Sequence, residues 1–367
     1  MKGQRPGVES TEFKILFVGD TSFGENYQVG YAKKGGKNIL EEKGYDYPLQ
    51  NLKLVLLQSD FAIANLETPI TDMIKSPFSN ITKDYVHWTD VKKAPQYLKK
   101  HNIKTVSLAN NHTLDYGLEG LIQTIGVLRK NGMEWIGAGL NETEAGKPYL
   151  KEFTIGRQVF KLAVIAGFEF QKTYDQDFAF YARNEVGGVN PISIKNISIQ
   201  IKQLKKDIPN VFVVVFPHWG ENYVWKSEKQ ADLGHQIMDA GADLIIGHGA
   251  HMIQEIEKYN GRWILYSVGN FMFNAKGRYK KFNVAPFSFV VQLLLQESDG
   301  NLVKTMKLYP IFTDNRITNF QGRFLTKDEF EKAYKLLIEK SSPPRELEKD
   351  IKTGKDDIGR FMEFLIE

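Results

Sequence analysis

Val211-Phe212-Val213-Val214-Val215-Phe216-Pro217-His218-Trp219-Gly220-Glu221 is a run of six apolar residues that ends in a polar cluster. An unbroken apolar run of this length reads as a strand covered on both faces, which puts the cluster at the strand's carboxyl end. Downstream, Ser227-Glu228-Lys229-Gln230 has capping-box spacing, Leu233 and Ile237 supply an inward helical face, and Gly241 stops the helix. Asp243-Leu244-Ile245-Ile246 is the next strand, so the stretch from Val211 to Ile246 is a strand-helix-strand unit of a layered α/β domain.

The same alternation extends in both directions. Upstream strand-like runs are Lys14 to Val18, Phe61 to Ala64, Lys104 to Leu108 and Lys161 to Ala166. Leu118, Leu121, Ile122, Ile125 and Leu128 keep helical spacing up to Asn131-Gly132. Downstream, Trp263 to Ser267 continues the sheet, and the alternating run Phe287 to Leu295 with Asp299-Gly300 and Val303 to Leu308 is a hairpin. A hairpin adds antiparallel strands, so a mixed sheet or a pair of packed sheets is expected. Thr326-Lys327-Asp328-Glu329 opens a further helix with Phe330, Ala333, Leu336 and Leu337 on one face. Ser341 to Pro344 and the charges after it read as a surface linker, and Ile358, Phe361, Met362 and Leu365 as a short docked helix. The expected organisation is a main domain over residues 13–320 and a C-terminal helical extension, 321–367, packed on it. The aromatic, aperiodic stretch from Phe168 to Asn190 is expected to be a packed surface loop, with a substrate-side loop as the alternative.

Composition bounds the chemistry. The chain has no cysteine, which excludes disulfides, thiolate ligands and cysteine nucleophiles. With 48 Lys plus Arg against 44 Asp plus Glu, the net charge is +4, and no basic tract indicates nucleic acid. The opening residues, MKGQRPGVESTE, contain no apolar stretch resembling a signal peptide, and no run approaches the roughly 20 apolar residues of a membrane span. The chain as written is expected to be soluble, either cytoplasmic or, with an export signal or anchor removed, extracytoplasmic. The sequence contains no Gly-x-Ser-x-Gly elbow, Walker A lysine motif, dinucleotide glycine fingerprint or His-Glu-x-x-His helix.

The polar clusters at strand ends are the candidate site. Four of the seven histidines, His112, His218, His248 and His251, fall in such clusters, together with Asp20 after Gly19 and Glu67 after Asn65-Leu66. Ligands in α/β proteins gather at the carboxyl ends of strands. A mixed set of carboxylate, amide and imidazole suits a hard or borderline divalent metal, Mn, Zn or Fe, as one ion or two. Asp20, Glu67, Asn111, His218, His248 and His251 are the candidate ligands, with Gly247 and Gly249 letting the chain turn both nearby imidazoles toward one point. His112 is a candidate for proton donation or phosphoryl contact, and Asp115 for fixing its tautomer. Each residue also has an ordinary role open to it: Asp20 as a turn or cap aspartate, Asp115 as the cap of the next helix, Glu221 as an exposed acid. His101 and His235 suit solvated or packing positions, and His87 beside Trp88 suits the rim of the site. The expected substrate is oxygen-rich and anionic.

The order and spacing of Gly19-Asp20, Asn65-Leu66-Glu67-Thr68-Pro69, Ser107 to His112 with Asp115-Tyr116-Gly117, Gly137-Ala138-Gly139 with Glu144-Ala145, His218 to Glu221, Gly247 to His251 and Tyr266 to Phe271 resemble the CapA family of bacterial capsule and poly-gamma-glutamate synthesis proteins. The resemblance covers about Lys14 to Asn274. That family is in turn similar to the calcineurin-like metallophosphoesterases. The likeness implies a four-layer αββα sandwich of two mixed sheets, Asp20 and Glu67 at or between metal positions, Asn111 and His218 on the second metal, His251 as the final metal histidine, and His112 on the phosphoryl group. This chain departs from the phosphoesterases in having Asp20-Thr21-Ser22 where they carry Asp-x-His, and Glu67 where they carry a bridging Asp. Many capsule-family relatives have histidine in place of Gly249. The resemblance implies hydrolysis of a phosphoester by metal-activated water. The alternatives are a non-catalytic component that binds poly-gamma-glutamate, as part of a membrane-associated capsule synthesis complex, and metal-dependent hydrolysis or transfer at gamma-glutamyl amides. Metal identity and oligomeric state are not encoded in any of these motifs.

Overall fold

The computed structural model describes residues 10–78, 83, 85–341 and 344–366; the polar opening as far as residue 9, and Ser342 and Pro343 of the expected linker, lie outside the described residues. Two mixed sheets dominate. The first has ten strands, and along its main path they run 352–355, 360–366, 301–312, 287–298, 12–22, 61–66, 105–107 and 134–136. Its half from Glu12–Ser22 to Glu134–Ile136 is parallel, whereas Phe287–Ser298 joins Glu12–Ser22 antiparallel. The second, of seven strands, has the path 256–259, 262–265, 244–246, 211–218, 158–169 and 149–155. Within it Val211–His218 lies parallel to both of its neighbours.

Side-chain alternation explains the layering. In the first strand Ile15 and Phe17 point to one side and Leu16 and Val18 to the other. Ile15 and Phe17 share one interior with Phe212, Val214 and Phe216 of the second sheet, and the Phe17 and Phe216 rings stand 5.7 Å apart. Leu16 and Val18 instead meet Leu121, Ile125 and Leu128 of the helix Gly117–Lys130. On the far side, Val213 and Val215 meet Ile197 and Ile201 of Ile194–Asp207 and Ile237 of Glu228–Asp239. The two sheets therefore pack face to face, with helices on both outer faces.

Ser227 caps its helix by accepting from the Gln230 N–H at 3.2 Å, and Thr326 and Glu329 complete a reciprocal capping box. The hairpin turns through Asp299 at φ 52° and Gly300 at φ 78°, the pair of positive angles a two-residue connection needs. The C-terminal expectation is corrected. Arg360–Ile366 is a strand, not a helix, and it pairs antiparallel with Asn301–Phe312. Ile358, Phe361, Met362 and Leu365 do match a helical period, but Met362, Phe364 and Ile366 match a period of two and are the residues buried, while Leu365 is exposed. The charges that read as a linker lie largely in the helix Pro344–Asp350. The Phe168 to Asn190 stretch holds one short helix, Lys172–Gln176, and the short strand Gly188–Val189.

Candidate metal centre

Every strand cluster singled out in the sequence arrives at one end of the two sheets. Asp20 lies near the end of Glu12–Ser22, and Glu67 directly follows Phe61–Leu66. Asn111, His112 and Asp115 lie between Thr105–Ser107 and the helix starting at Gly117. His218 is the last residue of Val211–His218, and His248 and His251 follow Leu244–Ile246. The first three groups belong to one sheet and the last three histidines to the other.

Asp20 joins the two sheets. Its carboxylate lies 3.4 Å from His248 Nδ1, 3.3 Å from His251 Nδ1 and 3.9 Å from His218 Nδ1, and accepts from Asn65 Nδ2 at 2.9 Å and from the Gly249 N–H at 3.2 Å. His218 and His248 also form a β-bridge that brings their Nδ1 atoms to 3.1 Å. Gly249 has φ 107°, and a Cβ there would press on the His218 imidazole at 3.0 Å, so glycine makes this approach available.

Glu67 is fully buried and lies 3.9 Å from both His112 Nε2 and His251 Nε2. Neither of its carboxylate oxygens has a hydrogen-bond partner, and the same holds for Asn111 Oδ1 and His248 Nε2. Leaving a buried polar atom unpaired costs about 1–3 kcal/mol, more for a charged group, so the unpaired atoms of Glu67 and His248, both members of the cluster, need an explanation. Asp20, His218 and His248, and likewise Asp20, Glu67 and His251, bring ligand atoms within 4.8 Å of one another, a spacing that a single ion between them can satisfy. The donor set of carboxylate, amide and imidazole fits a divalent metal.

The electrostatics agree with that fit. Burial, then the neighbouring Asp20 charge, raises the Glu67 carboxyl well above the usual carboxylate range. Burial alone would raise Asp20 too, but hydrogen bonds from His248 and His251 and the charges of His251 and His218 hold it well below that range. Burial alone would lower His251; the Glu67 charge and the contact with Asp20 instead push it up to about 9, so a proton there supplies the positive charge between the two acids, and that proton must leave before His251 can ligate. Burial, then the His248 charge, lowers His218 to about 3, which leaves a neutral imidazole suited to ligation.

A second group surrounds His112. Its Nδ1 is 2.7 Å from Asp115 Oδ2, and Asp115 also accepts from the His87 N–H at 2.6 Å and from Lys83 Nζ at 2.6 Å. The His87 ring is not at a rim. It is buried, lies flat against His112, and contacts the Tyr27 hydroxyl through Nε2 at 2.9 Å. His101 pairs with Asp46 and His235 with Glu257, outside this region as expected, and Glu221 is exposed.

Sequence reasoning named neither Lys83 nor Asn65 and Asn270 as site residues. Asn65 was legible, since strand alternation puts it on the same face as Glu67. Asn270 holds His251 Nδ1 at 2.8 Å from a neighbouring strand. Lys83 had no local pattern to mark it. Phe168, from the aromatic stretch, meets His218 edge-to-face with ring centres 5.6 Å apart and so lines the site from the second sheet.

This architecture is that of an α/β protein with a buried histidine and carboxylate cluster, suited to a divalent metal, between two mixed sheets. Residues 14–275 match the family model described as bacterial capsule synthesis protein PGA_cap, and the chain belongs to that family. PGA biosynthesis protein CapA of Bacillus subtilis (strain 168) is 32% identical over 277 residues, 74% of this chain and 67% of that protein. Capsule biosynthesis protein CapA of Bacillus anthracis is 30% identical, over 72% of this chain and 61% of that protein. A probable polyglutamine synthesis accessory protein of Mycobacterium tuberculosis is 27% identical over 55% of this chain and 54% of that protein. The chain thus spans about two thirds or less of the length of these relatives. Among the described residues no helix is long and apolar enough to cross a membrane.

Proposed function

We propose that this chain is a metal-dependent, phosphoesterase-like hydrolase of the capsule-synthesis type, built on an αββα sandwich. The observation that carries the reading is the buried convergence of Glu67, His218, His248 and His251 on the Asp20 carboxylate, with neither Glu67 oxygen partnered. Asp20, Glu67, Asn111, His218, His248 and His251 would hold one or two divalent ions. Such ions, when bound, supply an acidified water and neutralise charge growing on the transferred oxygens.

The protein's own groups do the remaining work. His112 faces Glu67 through Nε2 and is anchored through Nδ1 by Asp115, so it moves a proton at Nε2. Burial, then the Lys83 charge, holds His112 well below its ordinary value, so the resting imidazole is neutral. The Asp115 carboxylate stabilises the imidazolium that forms when Nε2 takes a proton, and the same nitrogen returns that proton to the leaving oxygen. Phe168 and Phe273 set apolar rings beside His218 and His251, and His112 is itself buried.

The relatives' names support a second reading, binding of the capsule polymer without hydrolysis. One experiment separates the two. Protein purified with Mn or Zn is assayed for metal content and for hydrolysis of phosphomonoesters and diesters, beside Asp20→Asn and His218→Ala. The hydrolase reading expects stoichiometric metal and turnover in the wild type, and loss of both in the variants. Full metal occupancy with no turnover of any phosphoester would overturn it in favour of the binding role.

A further inference from the structure

The Arg278 guanidinium lies over three aromatic faces, with its carbon 5.3 Å from the Tyr223 ring centre, 5.4 Å from that of Phe282 and 5.8 Å from that of Tyr85. It is only half-buried. Among the described residues no carboxylate lies within 4.0 Å of it. Its side chain also donates to the Tyr223 hydroxyl, which leaves others of the five guanidinium N–H donors for an oxyanion. One ring separates this cation from the candidate metal centre, because the centre of the Tyr223 ring that contacts Arg278 lies 5.6 Å from that of the His251 imidazole.

The support under Arg278 is fixed in place. Tyr223 stacks on Phe282 at 10° and meets the buried Tyr279 edge-on. The Tyr279 hydroxyl donates to the His251 carbonyl at 3.0 Å and accepts from Asn270 Nδ2 at 3.0 Å, and Asn270 is also the residue that holds His251. The segment carrying Arg278 is therefore tied to the same side chains that orient a candidate ligand. Lys276, two residues earlier, stands 4.5 Å over the Tyr31 ring and is likewise without a carboxylate partner among the described residues.

We propose that Arg278, with Lys276 beside it, binds an anionic group of the substrate outside the bond that reacts, and so selects substrates with a second oxyanion one aromatic ring's width from the metal centre. The reading rests on the proposed metal centre for the position of the reacting bond. A carboxylate of a gamma-linked glutamate chain and an additional phosphate oxygen offer the same chemistry to a guanidinium fork.

The test titrates metal-loaded protein by calorimetry with two probes, gamma-linked triglutamate and inorganic phosphate, comparing wild type with Arg278→Ala and Arg278→Lys. The expected result is at least tenfold weaker binding of one probe in Arg278→Ala and incomplete recovery in Arg278→Lys, with metal content and melting temperature unchanged. Loss confined to triglutamate assigns the group to a polymer carboxylate, and loss confined to phosphate assigns it to a phosphoester. Unaltered binding of both probes in Arg278→Ala, or no binding of either by wild type, overturns the proposal. Metal content measured on the same samples tests the metal centre separately: metal-free wild type that still loses triglutamate binding on Arg278→Ala would sink that centre and keep the anion site.

Discussion

The imidazole of His87 lies 3.5 Å from that of His112, centroid to centroid, and 10° from parallel. Each ring limits what the other can do. Burial, then the His112 charge, holds His87 well below its ordinary value, because two stacked, buried imidazoliums would repel. His87 therefore stays neutral while its N–H groups and ring hold the plane in which His112 works.

Replacing His112 with alanine should lower phosphoester turnover by about 10²- to 10⁴-fold, the usual share of a positioned acid or base. Metal content should not change, because His112 is held by Asp115 and not by the Asp20 cluster. Steady-state kinetics with elemental analysis on the same preparation checks both halves.

Lys83 and Asp115 form an ion pair at 2.6 Å with side-chain exposures of 5% and 0%. Removing one partner of a buried pair strands the other charge, at a cost of about 3–5 kcal/mol. Lys83→Met should accordingly shift the urea midpoint strongly downward. The double variant with Asp115→Asn should recover part of that loss, and a double variant no more stable than the single would contradict the account.

Glu25 gives a pH dependence remote from the candidate ligands. Burial raises its carboxyl from 4.5 to about 7, although Thr89, the Asp90 N–H and Tyr45 all donate to it. Between those values the unfolded chain has lost the proton and the folded one has kept it, so stability falls as pH rises from about 4.5 through about 7. The full effect is on the order of 3 kcal/mol at 1.36 kcal/mol per unit. Thermal melts across that range should show the slope, and Glu25→Gln should flatten it.

Gly249→Ala should weaken metal binding by tenfold or more, since the new methyl meets the His218 ring on a backbone at φ 107°. Gly19→Ala should do broader damage, because its Cβ would overlap the Gly269 carbonyl oxygen beside the Asp20 N–H bond to that same oxygen. Circular dichroism and metal titration distinguish a local loss from a general one.

The parts of the fold that could be read in advance are those where burial leaves a periodic trace. Val211 to Phe216 is buried on both faces and reads as a strand without context, and Ser227 and Thr326 mark helix starts through bonds made within four residues. The C-terminal strand misled because the apolar residues from Ile358 onward contain two overlapping sets, one of helical period and one, Met362, Phe364 and Ile366, of period two, and pairing with the distant Asn301–Phe312 selects between them. The same contrast holds in the site. Asp20, Glu67, His112, His218, His248 and His251 follow strands and announce themselves, whereas Lys83 and His87 come from the connection after Glu67 and reach His112 and Asp115 only through tertiary packing.

Asp20 stands on one sheet, and the three imidazoles around it stand on the other. Neither sheet can present the cluster by itself, so the affinity for a cation reports how well the two sheets have docked. A bound ion would in turn rivet them, resisting any slide of one layer across the other, and would draw the largest share of its holding power from parts of the polypeptide more than 190 residues apart.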